Sequence, residues 1–173
     1  MEKVFLFLAT VFATVAFSTQ VQAQRGDVGL GLRLTPDGGG ATAKFFVTNN
    51  LALEGQLNAG GILGGEGTSL TVVGLAEYHI ILPDPSWRIF FGGGFHGGQW
   101  DRDDYRGTQG IFGIDAIGGA EYVFKRIPLG LSADFKPAIN FVTDAEFFPH
   151  NLFGASARFY IGRVHAAPSH SRR

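Results

Sequence analysis

The sequence predicts an all-β protein, an eight-stranded antiparallel up-and-down β-barrel that spans a membrane. Three observations predict it. Eight segments alternate apolar and polar side chains with a period of two, the connections between them alternate in length, and the chain begins with an export signal. Glycine accounts for 26 of the 173 residues and aromatic residues for 13%. That composition suits strands and turns rather than a helix bundle.

The N-terminus has the parts of a secretory signal peptide. Lys3 supplies a positive charge, residues 4–17 form an apolar stretch, and Val21-Gln22-Ala23 precedes a cleavage site after Ala23. The apolar stretch is too short to cross about 30 Å of hydrocarbon comfortably, which disfavours the alternative of a membrane anchor. We therefore divide the chain into a signal peptide at 1–23, an outer-membrane β-barrel at 24–163 and a polar C-terminal tail at 164–173.

Composition excludes several classes of protein. There is no cysteine, so disulfides, thiolate nucleophiles and cysteine-ligated zinc are impossible. The formal net charge is −1 and no basic cluster occurs, which argues against a nucleic-acid partner. The mature chain has no apolar segment of helix-spanning length, so a helical membrane protein is excluded as well.

The alternation places charged side chains on one face of the strands and apolar side chains on the other. The predicted strands cover 28–34, 41–48, 51–59, 69–81, 87–97, 110–124, 129–141 and 152–162. In a membrane barrel the apolar face meets lipid and the charged face lines the lumen. The lumen then holds five basic and five acidic residues: Arg33, Lys44, Arg88, Lys136 and Arg158, with Glu54, Glu77, Asp115, Glu121 and Asp134.

Ten balanced charges in a narrow barrel predict ion pairs across the lumen, because buried charges are costly unless they are paired. Eight strands leave an interior just wide enough to be filled by side chains. We therefore expect a packed polar interior, with a narrow ion or proton path as the alternative. Glu121, Asp134, Lys136 and Arg158 lie on three consecutive strands and are expected to be neighbours. Pro137 lies within the seventh strand, and we expect a local bulge there.

The connections are alternately long and short. Short turns are predicted at 49–50, 82–86 and 125–128, and longer loops at 35–40, 60–68, 98–109 and 143–151. With both ends of the mature chain in the periplasm, the short turns are periplasmic and the long loops are external. This regularity favours the membrane barrel over a soluble one. Outward aromatic residues near the periplasmic strand ends fit a membrane-interface girdle: Tyr78, Trp87, Tyr122 and Phe124.

One stretch of the chain resembles a known family. Residues 113–141, GIDAIGGAEYVFKRIPLGLSADFKPAINF, resemble the penultimate hairpin of small outer-membrane β-barrel proteins common in Bacteroidetes, and Ala157-Arg158-Phe159-Tyr160 fits the last strand. The whole layout is similar to OmpX-like and OmpA-type transmembrane barrels. The resemblance implies an outer-membrane location, contact with lipid and lipopolysaccharide, and insertion by the barrel assembly machinery. It implies no shared activity. The polar tail departs from the family pattern, in which many barrels end on an aromatic residue.

The residues needed for catalysis do not assemble in the predicted layout. An acyl hydrolase needs a serine, a histidine and a carboxylate in reach of one another. His79 and Glu77 share a face, but Ser69 is far along the strand; His150 with Glu146 has no suitably spaced serine. The His-x-Ser pair of lipid A deacylase-like barrels is absent. We predict no catalytic residue and no cofactor.

A metal site is not predicted either. Asp101, Asp103 and Asp104 share a loop with two arginines, and the spacing of a calcium-binding EF-hand is absent. The predicted loops 98–109 and 143–151 instead offer aromatic and basic side chains suited to surface contact: Trp100, Arg102, Tyr105, Arg106, Phe147 and Phe148.

Three functions stay open at this point. The first is a monomeric, non-enzymatic outer-membrane barrel that serves envelope integrity or surface contact and adhesion. The second is a lipid-modifying barrel enzyme of the lipid A acyl hydrolase or transferase type. The third is a soluble exported, lipocalin-like barrel, whose apolar face would surround a small apolar ligand while its charges met water.

Overall fold

The chain is described by a computed structural model that covers residues 26–61, 68–101, 108–141, 146–148 and 152–162. These residues form ten strands: β1 Val28–Thr35, β2 Gly38–Phe46, β3 Leu51–Gly60, β4 Thr68–Ile81, β5 Trp87–Asp101, β6 Thr108–Val123, β7 Leu129–Phe135, β8 Ala138–Asn140, β9 Glu146–Phe148 and β10 Phe153–Ile161. No helix long and apolar enough to cross a bilayer is found in these ranges.

The strands close into a barrel. Every neighbouring pair is antiparallel, consecutive strands from β1 to β6 pair with one another, and β10 pairs with both β1 and β7. β7 and β8 pair one after the other with β6, and β8 also pairs with β9. The ten strands therefore occupy eight positions around the ring. The predicted eight-stranded antiparallel up-and-down barrel is confirmed.

The two ends of the barrel differ. At one end, which we call the turn end, lie the connections 47–50, 82–86 and 124–128. At the other, the loop end, the strands are joined at 36–37, 61–67, 102–107 and 141–145. The long first loop predicted at 35–40 is wrong, because only Pro36 and Asp37 separate β1 from β2.

Glycine at strand ends explains that error. Gly38 pairs with Gly60 of β3, and a Cβ atom on Gly38 would lie 2.0 Å from the carbonyl oxygen of Ala59. The residue is thus a glycine because two strands approach closely, not because the chain turns. The same reason extends β5 and β6 into the predicted loop at 98–109, since a Cβ atom on Gly98 would lie 2.1 Å from the oxygen of Leu70.

The side-chain alternation has the polarity expected for a membrane barrel. Leu32 and Phe95 point outward and are 67% and 62% exposed, whereas Arg33 and Lys44 point inward and are fully buried. This arrangement is opposite to that of a soluble barrel, in which the apolar face forms the core. The lipocalin-like alternative required apolar residues around a cavity and charges in water, and the described strands place them the other way round.

Three groups of buried apolar side chains lie inside the barrel among the charges. Near the turn end are Phe46, Ala52, Val123 and Tyr160. On the wall formed by β4, β5 and β6 are Val73, Leu75, Phe90 and Ile117. Near the loop end are Ile111 and Ala138, with Trp100 packed against them. The interior is therefore packed with apolar side chains towards both ends.

The bulge expected at Pro137 does not occur in the pairing with β6. The register along β6 is continuous past Pro137, since Gly118 pairs with Phe135 and Asp115 with Ala138. On the side of β9 and β10, Phe135 pairs with Phe153 and Ala138 pairs with Phe148. An advance of three residues from Phe135 to Ala138 is therefore matched by five residues between their partners. The register of the β8–β9 pairing therefore differs by two residues from that of the β7–β10 pairing.

The wall of the barrel is unequal in height. β4, β5 and β6 have 14, 15 and 16 residues, whereas β1, β2 and β10 have 8, 9 and 9. The long strands are neighbours, and so are the short ones. One side of the barrel is therefore much taller than the other.

Candidate functional site in the barrel lumen

The charged lumen is built by strand geometry. Successive side chains of a strand point to opposite faces, so every second residue of a barrel wall points inward. All ten charged residues assigned to the interior from the sequence are buried, and so are His79 and His96. Six side chains from five strands form a closed ring of contacts, which we call the lumen ring: Lys44, Glu54, Glu77, His79, Glu121 and Arg158.

Two cations share the carboxylate of Glu54. Lys44 Nζ lies 3.0 Å from Glu54 Oε2 and 2.7 Å from Glu77 Oε2. Arg158 Nη2 donates to Glu54 Oε1 over 2.6 Å. Lys44 Nζ also lies 4.6 Å from the centre of the Phe90 ring, which gives the ammonium an aromatic face as well. Each charge in this half of the ring is therefore balanced by an opposite charge.

Glu121 completes the ring on the other side. Its Oε1 atom lies 3.7 Å from Arg158 Nη1 and accepts a hydrogen bond of 2.5 Å from the Tyr160 hydroxyl. Its Oε2 atom lies 3.9 Å from Nδ1 of His79, whose Nε2 atom lies 3.1 Å from Glu77 Oε2. These contacts return to the carboxylate that Lys44 touches, which closes the ring.

Neutral side chains add hydrogen bonds to two members of the ring, Glu54 and Arg158. The Thr42 hydroxyl and the Gln56 amide each donate to Glu54 Oε1 over 2.8 Å. Arg158 donates to the Ser132 hydroxyl over 2.8 Å. Such hydrogen bonds lower the cost of burying the charges of Glu54 and Arg158. Arg88 is buried beside the ring, opposite Glu121 in the strand register and 5.4 Å from the centre of the Phe46 ring.

The four residues expected to be neighbours are divided among separate ion pairs. Glu121 and Arg158 do meet in the lumen ring. Asp134 instead accepts a hydrogen bond from Arg33 on the far side of β10. A Cβ atom on Gly154 would lie 2.2 Å from Cζ of Arg33, so the guanidinium occupies the space that a side chain at that position would fill.

A second cluster lies on the loop-end side of the lumen, and we call it the His96 cluster. Lys136 Nζ donates to Asp115 Oδ1 over 2.7 Å, and Asp115 Oδ2 lies 2.7 Å from Nδ1 of His96. On its other side, Nε2 of His96 lies 2.5 Å from Oδ1 of Asn140. A Cβ atom on Gly113 would lie 2.6 Å from the imidazole ring, so the ring occupies space that a side chain at that position would fill.

Sequence reasoning missed the neutral members of these networks. Tyr160, Thr42 and Asn140 all contact a charged or histidine side chain in the lumen. The signal that could have found them is the same alternation that placed the charges, because each occupies an inward position on its strand. The Tyr160 ring also lies over two glycines, with Cβ positions on Gly29 and Gly130 only 2.6 and 2.7 Å from it.

The residues predicted for surface contact have mixed positions. Trp100 lies within β5 rather than in a loop, and it packs against Ile111 and Ala138. Phe147 and Phe148 belong to β9 and pair in register with β8. Arg102, Tyr105 and Arg106 lie outside the described residues. The proposed girdle residues face outward near the turn end, where Tyr122 forms edge-on ring contacts with Trp87 and with Phe124, each with 5.0 Å between ring centres.

The contacts described for the two buried histidines differ from those of a hydrolase triad. His79 lies against Glu77 and Glu121 and packs on the rings of Phe46 and Phe90, and His96 lies against Asp115 and Asn140. No cluster of three metal-binding side chains occurs within the described ranges. The predicted acidic loop at Asp103 and Asp104 lies outside those ranges.

Fold and interior together define the class of the protein as a closed eight-stranded barrel with a polar, packed lumen and an apolar outer wall. No protein-family model matches the chain. No curated relative matches it either. Among solved structures, the N-terminal β-barrel domain of Pseudomonas aeruginosa OprF is similar, with a TM-score of 0.64 and 17% sequence identity. The match covers 80% of this chain and 100% of that domain, and at this identity it shows the barrel fold.

Proposed function

We propose that the protein is a structural barrel of the bacterial outer membrane, monomeric and without enzymatic activity, whose closed lumen serves the integrity of the envelope. The observation that carries the proposal is the division of the wall. Apolar side chains cover the outside, and all ten lumen charges are buried. A barrel with this polarity has its lowest free energy in a bilayer, where lipid covers the apolar band. Lipid and lipopolysaccharide are its proposed surroundings, and the barrel assembly machinery its proposed route of insertion.

The packing of the lumen supports a barrier rather than a channel. The lumen ring draws side chains from β2, β3, β4, β6 and β10 into contact, so it crosses the interior instead of lining it. Towards the turn end, Phe46, Ala52, Val123 and Tyr160 form a buried apolar group. An ion passing through would have to displace both layers. An eight-stranded barrel has little room for that.

Membrane fractionation with heat-modifiable gel mobility tests the location. A stably inserted barrel stays folded in detergent and is expected to migrate faster before boiling than after, from washed outer membranes. Recovery in the soluble fraction, without a mobility shift, would contradict the proposal.

Planar bilayers test the closed lumen. We expect the purified protein to leave the bilayer conductance at its background value. Variants of the lumen ring, for example Arg158→Met, serve as the comparison, since loss of a ring member removes contacts across the interior. A large and steady conductance from the unaltered protein would contradict the proposal that the lumen is closed.

Contact with other surfaces is a second part of the proposal. It falls to the connections 61–67, 102–107 and 141–145, because the first loop-end connection has only two residues. Replacing 102–107 and 141–145 with short glycine-serine turns is expected to reduce binding of intact cells to their attachment surface. Unchanged binding, with the barrel still present in the membrane, would leave envelope integrity as the remaining role.

A further inference from the structure

The His96 cluster ties three neighbouring parts of the wall together near the loop end. His96 belongs to β5, Asp115 to β6 and Asn140 to β8, and Lys136 lies between β7 and β8. β8 has only three residues, and the described chain after it resumes as β9 at Glu146. The cluster therefore joins this short strand to β5 and β6 through side chains.

The contacts of the imidazole specify its protons. Asp115 is a carboxylate that also receives the Lys136 ammonium, so it accepts hydrogen bonds and Nδ1 of His96 must donate to it. On the opposite side, Nε2 faces the amide oxygen of Asn140 at 2.5 Å, and an amide oxygen is also an acceptor. A neutral imidazole carries one N–H only, whereas an imidazolium carries two. The arrangement fits the doubly protonated ring.

We propose that His96 is a pH-dependent latch. As an imidazolium it bridges Asp115 of β6 and Asn140 of β8, and when it loses a proton it releases Asn140 and loosens β8 at the loop end. The inference goes beyond the structural role proposed above, because it gives the loop end a conformational response to the medium. It concerns a local strand and needs no channel.

The direction of the response follows from the charges that face the ring. Asp115 favours the imidazolium and Lys136 opposes it, and both lie within the same chain of contacts. When the ring is charged, both nitrogens donate hydrogen bonds. When it is neutral, the lone pair of Nε2 would face the lone pairs of Asn140 Oδ1, which is repulsive. The latch is therefore closed at low pH and opens as pH rises.

The position of β8 makes it the part that responds. Pro137 immediately precedes β8, so its nitrogen cannot donate a ladder hydrogen bond to β6. The pairing of β8 with β9 is two residues out of step with that of β7 and β10. On the β6 side, the Phe141 N–H donates to the oxygen of Phe112 over 2.9 Å, directly after Asn140. Exchange of the Phe141 amide hydrogen consequently reports whether β8 is attached.

The test is an NMR titration of the purified protein in detergent micelles, with 15N-labelled histidine and with backbone amide exchange. We expect both ring nitrogens of His96 to be protonated at pH 6, where the ordinary pKa of histidine would leave a mixture. As His96 loses its proton at higher pH, protection of the Phe141 amide should fall about tenfold beyond the intrinsic pH effect, the factor for one charge-assisted hydrogen bond. The Tyr160 amide, bonded to Pro128 at the turn end, should not follow.

Two variants sharpen the titration. His96→Gln removes the titrating ring and should make the Phe141 exchange follow the intrinsic pH effect alone, whereas His79→Gln, in the lumen ring, should leave the response in place. Asn140→Asp places a carboxylate against Nε2 and should move the opening to higher pH.

Two results would overturn the proposal. One is a singly protonated His96 ring already at pH 6, with the Asn140 amide group donating to it. The other is deprotonation of His96 without any change in Phe141 exchange. Both readings come from the unaltered protein, so they decide the question even if a variant fails to fold.

Discussion

The lumen ring and the His96 cluster use similar residues in different ways. The ring joins side chains from five strands around the barrel and closes on itself, so each carboxylate in it touches two basic or imidazole side chains. The contacts described for the His96 cluster run in a line, Lys136–Asp115–His96–Asn140, along one sector of the wall. A ring across the interior makes distant strands depend on one another, whereas a chain in one sector secures that sector alone. Changes in the ring should therefore affect global unfolding, and changes in the cluster local opening.

The largest effect is expected for Arg158→Met. Arg158 donates to Glu54, Thr42 and Ser132 and lies beside Glu121, so its loss leaves Glu54 with Lys44 alone and removes a cation from beside Glu121. Breaking a buried ion pair in this way costs about 3–5 kcal/mol. Denaturant unfolding of the protein in lipid vesicles measures the loss. Lys125→Met is the matched control, because Lys125 and Asp84 form an exposed pair at the turn end, for which a much smaller loss is expected. Equal losses of unfolding free energy for the two variants would contradict the stabilising role of the lumen ring.

Glu121→Ala should come next, at about 3 kcal/mol, because the variant leaves Arg158 short of one partner and the Tyr160 hydroxyl without its acceptor. The same unfolding measurement applies. In the double variant with Arg158→Met the combined loss should be clearly smaller than the sum, since both changes disrupt one network. Strict additivity would show that the ring contacts are independent of one another.

Gly113→Ala tests the His96 cluster by packing alone. The new methyl group would lie 2.6 Å from the His96 ring and 2.1 Å from the oxygen of Ile139, so β8 or the ring must move. Overpacking of this kind costs about 1–3 kcal/mol, and we expect it as faster amide exchange in β8. Gly55→Ala is the control, since its Cβ atom would meet nothing within 4 Å. Slow exchange in β8 of Gly113→Ala would show that the cluster tolerates displacement.

The smallest effect concerns Asp84, in the turn between β4 and β5. The Ser86 backbone N–H donates to its carboxylate and the Lys125 ammonium lies beside it, and these contacts lower the pKa of Asp84 below its ordinary value. A lowered pKa in the folded state gives stability that is present above the unfolded pKa and lost as pH falls through the folded one. The protein should lose stability below about pH 4, and Asp84→Asn should make that loss slightly smaller. The measurement is the unfolding midpoint as a function of pH. An unchanged acid profile would contradict this.

Sequence alternation predicted the fold and the inward residues because both depend on a period of two. It placed Arg33 and Glu77 on the inner face without any knowledge of their partners. The partners themselves depend on how strands are staggered around the ring, which alternation does not contain. Arg33 therefore pairs with Asp134 across β10, and Lys136 with Asp115, although neither pair was expected. The glycine-rich ends of β2 and β5 were assigned to loops, because glycine marks turns and close strand contacts alike.

The unequal wall has a consequence for the lipid around the protein. At about 3.4 Å per residue and a tilt of roughly 40°, the 16 residues of β6 rise about 42 Å and the 8 residues of β1 only about 21 Å. The apolar band of an outer-membrane barrel is about 25 Å tall. In the membrane proposed for this protein, the short side cannot match an undeformed bilayer. The barrel must lean, or the bilayer must thin beside β1, β2 and β10. Either response makes the surrounding bilayer asymmetric. Proteins next to this barrel would then meet a thinner bilayer on one side of it and a thicker bilayer on the other.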